Sequence, residues 1–325
     1  MPADLKAEDI AELRSYMSDD EIEWVVLAVC MMGFLNKFMD TMGVELESEA
    51  IRDVEELISS TGWNVGKHGW SSEDFDDVQM TEGRTLTPKE TSDGNGSDDA
   101  DGSKAGWEEV PVDGLGTYMR MMRHGPGAKR IEKSWTKGVP KRISMVLTML
   151  EESVGYSFPL LANLTHTKAV KALGAVLRDN LDPANSEVGL GAKALIGLVY
   201  GEVVGNQKLV AEAKVLANLH APHMSPRMLA DVARFARGEA ESAEVPQGLS
   251  TVEAAVIMLA KTAAPSPTTV TEITIASTTS HLTPAQIVES VVWISVQQLM
   301  HRMYSFYDVL GGDEELDYIQ SLSAS

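Results

Sequence analysis

The chain has 325 residues, 44% of them hydrophobic, and a formal net charge of −21 at pH 7. This length suffices for one large hydrophobic core or two moderate cores. A strongly negative surface repels phosphate backbones, so we expect no nucleic-acid partner. The chain contains no uninterrupted apolar stretch near the roughly 20 residues that span a bilayer, and its first residues form no apolar signal segment. These features predict a cytoplasmic protein without a membrane span.

The N-terminal part shows helical periodicity and a clear capping signal. Residues 1–17 predict a short amphipathic helix, and the motif Ser-Asp-Asp-Glu at 18–21 is a capping box that opens a long apolar helix ending at Gly43. A further amphipathic helix is predicted over 48–60. Cys30, the only cysteine of the chain, lies in the long helix, so an internal disulfide is excluded and a buried thiol is expected.

Residues 71–117 differ in composition from the rest of the chain. Between 71 and 109 there are twelve acidic residues and three basic ones, with few apolar side chains to bury. A segment that buries little apolar area cannot offset its ordering entropy, so we predict a disordered acidic linker or insertion. An acidic protein-binding tail or a cation-collecting loop is the alternative. The prediction divides the chain into an N-terminal helical unit over 1–70, this segment, and a C-terminal helical domain over 118–325.

The C-terminal domain begins with a cluster of basic residues between Tyr118 and Arg142. Pairing with the chain's own acidic surface or with a neighbouring subunit is expected for this cluster. Helical periodicity or capping signals follow over 143–154, 160–181, 189–219, 226–237, 249–263, 270–280 and 283–307. The segment 160–181 is interpreted as one helix or a broken pair, and 189–219 as the small-residue helix around which the others pack.

One of these segments is ambiguous by local propensity. The β-branched residues of 270–280 favour a strand when taken alone. The helical patterns on both sides favour a helix, and no other segment predicts a strand. The predicted fold class is therefore all-α.

The first and last long helices match each other at a shift of 265 positions. Ser18 falls on Thr283, and the pair Asn36-Lys37 falls on His301-Arg302. A cap, an apolar run and a polar–basic pair at one spacing indicate an internal repeat of a helical unit.

The 189–219 segment carries the sequence Gly205-Asn206-Gln207-Lys208-Leu209-Val210-Ala211-Glu212-Ala213. It resembles the central helix of the carboxymuconolactone decarboxylase and alkyl hydroperoxidase D-like superfamily, in which a similar helix leads into Gly-Cys-x-x-Cys-Val-x-x-His. The cysteine positions are Asn206 and Leu209 here, the histidine position is Ala213, and that of an upstream glutamate falls near Ala194. Because asparagine and leucine cannot form the reactive thiolate, these departures argue against thiol peroxidase activity.

The resemblance extends to the two long helices, which look like the superfamily's other recurrent helix, an apolar run ending in Asn-Arg or His-Arg. It covers residues 18–70 and 143–307 and implies a helical bundle of that superfamily's kind that assembles as a homo-oligomer.

Five polar residues are candidates for a site. Glu202 and Asn206 are four apart and share one face of a continuous helix, and a carboxylate desolvated there could act as a general acid or base. His301 could protonate a carboxylate substrate that Arg302 binds, and Lys208 could anchor an anion. The alternatives are a solvated or interface-paired glutamate with an ordinary asparagine, a core histidine, and a lysine on a solvated face.

No metal or cofactor is predicted. His220 and His223 are three apart, but Pro222 lies between them and disturbs the helical spacing that a chelating pair needs.

Two functions follow from these residues. The first is cofactor-free acid–base chemistry on a small carboxylate or lactone, with Glu202 and His301 as proton carriers and Arg302 as the anion-binding group. The alternative is a catalytically inactive scaffold or protein-interaction subunit. A pocket in which Glu202, Asn206 and His301 converge favours the enzyme, whereas a site filled by Leu209 and its apolar neighbours favours the scaffold.

Overall fold

A computed structural model describes residues 5–44, 129–130, 133–239, 245–310 and 319 of the chain. Two compact units are distinguished, one comprising residues 1–45 and 138–325, the other residues 46–137. The second unit is described only at 129–130 and 133–137. The predicted helix over 48–60, the acidic segment, and residues 118–128 and 131–132 of the basic cluster therefore lie outside the described residues.

All regular structure in the described residues is helical and none of it is strand, which confirms the all-α prediction. A single 3-10 turn, Pro183–Asn185, precedes the central helices. The α-helices of the first unit are α1 (Ala7–Arg14), α2 (Asp19–Met42), α3 (Ile143–Val154), α4 (Pro159–Ala162), α5 (Thr167–Asn180), α6 (Leu190–Val204), α7 (Gln207–His220), α8 (Pro226–Arg237), α9 (Thr251–Ala263), α10 (Glu272–His281) and α11 (Pro284–Val309).

The capping signals define where several helices begin. Ser18, Ser250 and Thr283 each form the predicted capping box, at the start of α2, α9 and α11. Ser225 accepts a hydrogen bond from the Met228 amide at the start of α8. The β-branched segment forms α10 as predicted, and Thr271 caps its first turn. Local capping chemistry thus outweighs β propensity in this segment.

The prediction of one helix over 189–219 is wrong, because the run is divided into α6 and α7. Gly205 ends α6 in the left-handed conformation at φ 73°, which favours glycine. Asn206 then begins a new helix, since its side-chain oxygen accepts the Leu209 amide at 3.1 Å. The apolar periodicity continues through the break and conceals it.

Helix α6 occupies the centre of the first unit. It packs against α7, α8, α9 and α11, and every residue from Ala192 to Gly201 is buried. Small residues let the neighbours come close: a Cβ on Gly201 would lie 2.9 Å from the Val210 Cγ2 atom of α7. The small-residue segment identified in the sequence is therefore the core of the bundle.

Helix α2 packs lengthwise on α11. The buried residues on its inward side include Ile22, Leu27 and Cys30, and the burial of Cys30 is as predicted. Judged by length and composition alone, α2 is also long and apolar enough to cross a membrane, and 33% of its most apolar window is buried. The two capped long helices proposed as copies of one unit are thus in contact, and the internal repeat itself stays a prediction.

Candidate functional site

Two of the candidate residues, Asn206 and His301, meet at the turn between α6 and α7, where α11 crosses the hairpin. Asn206 is buried at this turn. Its side-chain nitrogen lies 3.0 Å from Nδ1 of His301 on α11. Because the Asn206 oxygen already accepts the Leu209 amide, the amide nitrogen is the donor in this contact and the histidine Nδ1 accepts.

His301 is held in its neutral form. Burial lowers its pKa to about 4, and the neighbouring Arg302 charge acts in the same direction, while Asp308 opposes it. The ring of Tyr200 stands edge-on to the imidazole at a centroid distance of 6.4 Å. His301 is therefore a neutral hydrogen-bond acceptor at physiological pH.

Arg302 is half-buried where α11 meets α2. A Cβ on Gly33 would lie 2.7 Å from its Nε and Cζ atoms, so the guanidinium lies against the α2 backbone. Its Nε is buried and has no hydrogen-bond partner among the described residues. Burial raises the pKa of the nearby Cys30 thiol to about 12, although the positive charge of Arg302 acts to lower it. Cys30 consequently stays a protonated thiol.

Lys208 is buried and already has a carboxylate partner. Its Nζ lies 2.5 Å from Oδ1 of Asp308 on α11 and 5.5 Å from the centre of the Tyr304 ring. This ion pair joins α7 to α11. Binding a ligand anion through Lys208 would require competition with Asp308.

Glu202 does not join Asn206 and His301. Its Oε2 atom lies 2.8 Å from Nη1 of Arg237 on α8, on the wall of a cleft beside that helix. The i, i+4 relationship expected for Glu202 and Asn206 requires a continuous helix, and the helix ends at Val204. The structure thus brings together Asn206 and His301 and places Glu202 elsewhere.

Three of the four positions that the resemblance matches to the superfamily's reactive residues hold apolar side chains: Leu209 for the second cysteine, Ala213 for the histidine and Ala194 for the glutamate. Leu209, Ala213 and Ala194 are 1%, 3% and 0% exposed. They line a cavity of only about 10 Å³, which is close to the smallest volume that holds one water. A substrate has no room there.

Sequence reasoning missed a buried carboxylate one turn beyond Leu209. Glu212 accepts hydrogen bonds from the Tyr304 hydroxyl at 2.6 Å and the Tyr156 hydroxyl at 3.3 Å. A single acidic residue between Ala211 and Ala213 in an apolar helix was the available signal. The two tyrosine partners come from distant parts of the chain and gave no signal of their own.

A buried ion pair connects α6 with α11. Lys193 Nζ lies 2.6 Å from Glu289 Oε1. Burial lowers the pKa of Lys193, although the carboxylate of Glu289 acts to raise it. Burial alone would raise the pKa of Glu289, but Lys193, the Ser186 hydroxyl and the Glu187 amide hold it below its ordinary value. Because Glu289 also accepts the backbone amides of Glu187 and Val188, the pair anchors the loop that precedes α6.

His220 and His223, the two histidines considered for metal binding, contact different groups. His220 contacts the Val154 carbonyl oxygen at 2.7 Å, and His223 contacts Glu253 at 2.8 Å. Within the part of the chain that the structure describes, no group of three or more histidine, cysteine, aspartate or glutamate side chains gathers as a metal site would require.

Comparison with known proteins adds no relative: no protein-family model, curated protein or solved structure matches this chain.

Proposed function

We propose that the chain is a catalytically inactive helical scaffold that associates with a second copy of itself, on a bundle of the carboxymuconolactone decarboxylase-like kind. The main support for this proposal is that apolar side chains fill the space around Leu209. A cavity of about 10 Å³ is far below the roughly 300–1,000 Å³ of small-molecule sites. Glu202, the proposed proton carrier, is paired with Arg237 away from His301.

The surface that would carry self-association is the outward face of α2. We define this face by six exposed residues, Trp24, Val25, Ala28, Val29, Met32 and Leu35. The sequence from Trp24 to Asn36 contains no charged residue. A helix that is apolar on all sides is normally covered on all sides, and the helices that the structure describes cover only the inward side of α2.

A second copy of the same face is the occupant that fits the distribution of charge. Three acidic residues, Asp19, Asp20 and Glu21, lie at the N-terminal end of α2. An antiparallel pair related by a two-fold axis places these ends far apart and lets the two uncharged central stretches meet. An anionic lipid surface, in contrast, repels a chain of net charge −21.

The test changes the outward face of α2 and measures molecular mass. Size-exclusion chromatography with light scattering should give a multiple of 35.2 kDa for the wild type. The double variant Val29→Glu/Met32→Glu should be monomeric with an unchanged melting temperature, because both side chains are more than half exposed, at 54% and 56%.

Ile273→Glu/Ile275→Glu is the matched control, since both residues are exposed on α10; this variant should assemble like the wild type. A monomeric wild type, or an α2 variant that still assembles, would contradict the proposal. If the wild type floats with phosphatidylserine vesicles, the partner that covers this face of α2 is a membrane and not a second copy of the chain.

One observation favours a second function, acid–base chemistry on a small carboxylate or lactone. The half-buried guanidinium of Arg302 has an unpartnered Nε among the described residues, directly after His301 in the sequence. A buried charged donor without a partner is costly, and a bound carboxylate would satisfy it. In this function Arg302 binds the anion and the imidazole of His301 accepts a proton, with Asn206 orienting the ring.

A lactone carboxylate tests this second function directly. Wild-type protein is incubated with paraconate, and consumption of the lactone is followed by proton NMR. Turnover that is lost in Arg302→Met and His301→Gln, with melting temperatures retained, would support the enzyme. Absence of turnover in the wild type, together with a dimer that depends on α2, would leave the scaffold as the function.

A further inference from the structure

A cleft of about 560 Å³ lies between α8 and the α6–α7 hairpin. Its volume falls within the range typical of sites for small molecules. Glu202, Lys214 and Asn218 line one wall, and residues of α8 from Pro226 to Arg237 line the other. The cleft is separate from the Asn206–His301 contact and from the filled position around Leu209, neither of which contributes a residue to its walls.

The cleft is locally positive although the chain is acidic. Four cationic residues line it against two carboxylates, Glu202 and Asp231, and the four are Lys214, Arg227, Arg234 and Arg237. Two of these arginines are already paired, Arg237 with Glu202 and Glu239, and Arg234 with Asp231. Four cations against these three carboxylates leave one positive charge in excess, inside a molecule of net charge −21.

The surplus resides on Lys214 and Arg227. Neither side chain forms an ion pair with any residue that the structure describes. Lys214 is half-buried on α7, and Arg227 stands exposed in the first turn of α8. A lysine without an ion-pair partner is an anchoring point for an anion, and an arginine can hold a carboxylate or phosphate with two hydrogen bonds.

The same cleft has an apolar part. Ala230 is exposed in the lining, and Leu229 and Ala233, each 6% exposed, lie beside it. A few polar groups beside an apolar surface are typical of a site that orients a small organic molecule by its charged end.

We propose that this cleft binds a small organic anion, with its carboxylate or phosphate group held by Lys214 and Arg227 and its apolar body lying on Ala230, beside Leu229 and Ala233. The site requires neither the scaffold function nor turnover at His301. Its ligand is defined by chemistry: one anionic group joined to a compact apolar body.

Calorimetric titration of the full-length protein tests the proposal with three probes that share one ring. Benzoate and phenyl phosphate carry the anionic group, and benzyl alcohol is the neutral comparison. We expect both anions to bind and benzyl alcohol not to bind. The double variant Lys214→Met/Arg227→Met should bind the anions about tenfold more weakly or worse, the size of effect expected for charge-assisted hydrogen bonds.

Two further variants make the result specific. Lys168→Met removes an exposed lysine of α5 and should leave the affinity unchanged. Lys214→Arg keeps the charge and should retain binding, which separates loss of the anchor from loss of folding. Equal binding of benzyl alcohol, no binding of either anion, or unchanged affinity in the double variant would overturn the proposal. Loss of binding in Arg302→Met alone would overturn it as well, because that result would place the anion-binding site on α11.

Discussion

His301 shows how a tertiary neighbourhood changes the behaviour of one side chain. In the folded chain its pKa is lowered to about 4 from the ordinary 6.5, so the unfolded chain takes up the proton first as the pH falls. Stability from the neutral ring is complete above pH 6.5 and is lost as the pH falls towards 4. The wild type should therefore unfold at progressively lower denaturant concentration across this window, and His301→Gln should lose part of that slope.

His281→Gln provides the control for this pH dependence, because His281 is exposed at the end of α10. This variant should keep the wild-type slope. An identical slope in His301→Gln and in the wild type would mean that the ring protonates in the folded state as readily as in the unfolded state.

Lys193 and Glu289 illustrate the cost of separating a buried pair. Their side chains are 3% and 15% exposed. Lys193→Met should lower the free energy of unfolding by about 3–5 kcal/mol, because it leaves a carboxylate in the bundle without its cation. Urea unfolding measures the change. Arg14→Met, which breaks the exposed pair with Asp19, should change it by less than about 1 kcal/mol; similar losses in both variants would contradict a buried, charged pair.

At the scale of elements, the α6–α7 hairpin depends on a close backbone approach at Gly201. A Cβ there would lie 3.0 Å from the Val210 amide nitrogen, an atom that cannot move without shifting α7. Gly201→Ala should therefore destabilise the protein by about 1–3 kcal/mol despite the better helix propensity of alanine.

Gly197→Ala is the matched substitution, one turn earlier in the same helix. Its new Cβ would meet nothing closer than 3.4 Å, so the gain in helix propensity should make this variant neutral or slightly more stable. Thermal unfolding followed by circular dichroism compares the two. A Gly201→Ala variant as stable as Gly197→Ala would mean that the two helices are less closely packed than described.

At the scale of the whole molecule, two charged side chains bind α2 to distant parts of the bundle. Glu23 accepts the backbone amides of Thr165 and His166 at 2.8 Å each and thereby caps α5 from another helix. Lys37 donates to the carbonyl oxygens of Ala263 and Pro265 at the end of α9, a favourable place for a cation. Residues 5–44 are thus an integral part of the C-terminal bundle.

The net charge of −21 predicts opposite effects of salt on the two proposed surfaces. Added sodium chloride screens repulsion between copies, so it should raise the dimer fraction measured by light scattering. The same salt screens the attraction of an anion to Lys214 and Arg227, so it should weaken benzoate binding in the titration. If added salt changed the dimer fraction and the benzoate affinity in the same direction, one of the two surfaces would work differently from the proposal.

Local chemistry made much of the fold predictable. Capping residues such as Ser18 and Thr283 act on amides within one turn, so their effect can be recognised without knowledge of the tertiary structure. The end of α6 was predictable in principle, because glycine followed by asparagine is a typical helix boundary. The apolar periodicity that continues through 189–219 predicts a single helix instead and conceals the break at Gly205.

The amino-acid sequence by itself determined the all-α class, the helix starts and the small-residue centre of the bundle, because these depend on interactions between residues a few positions apart. Only the tertiary structure decided which polar groups meet. Asn206 faces His301, Glu202 turns to Arg237, and Glu212 lies between two tyrosines. Such contacts join residues up to 95 positions apart, and their geometry follows from how whole helices pack, which no local pattern encodes.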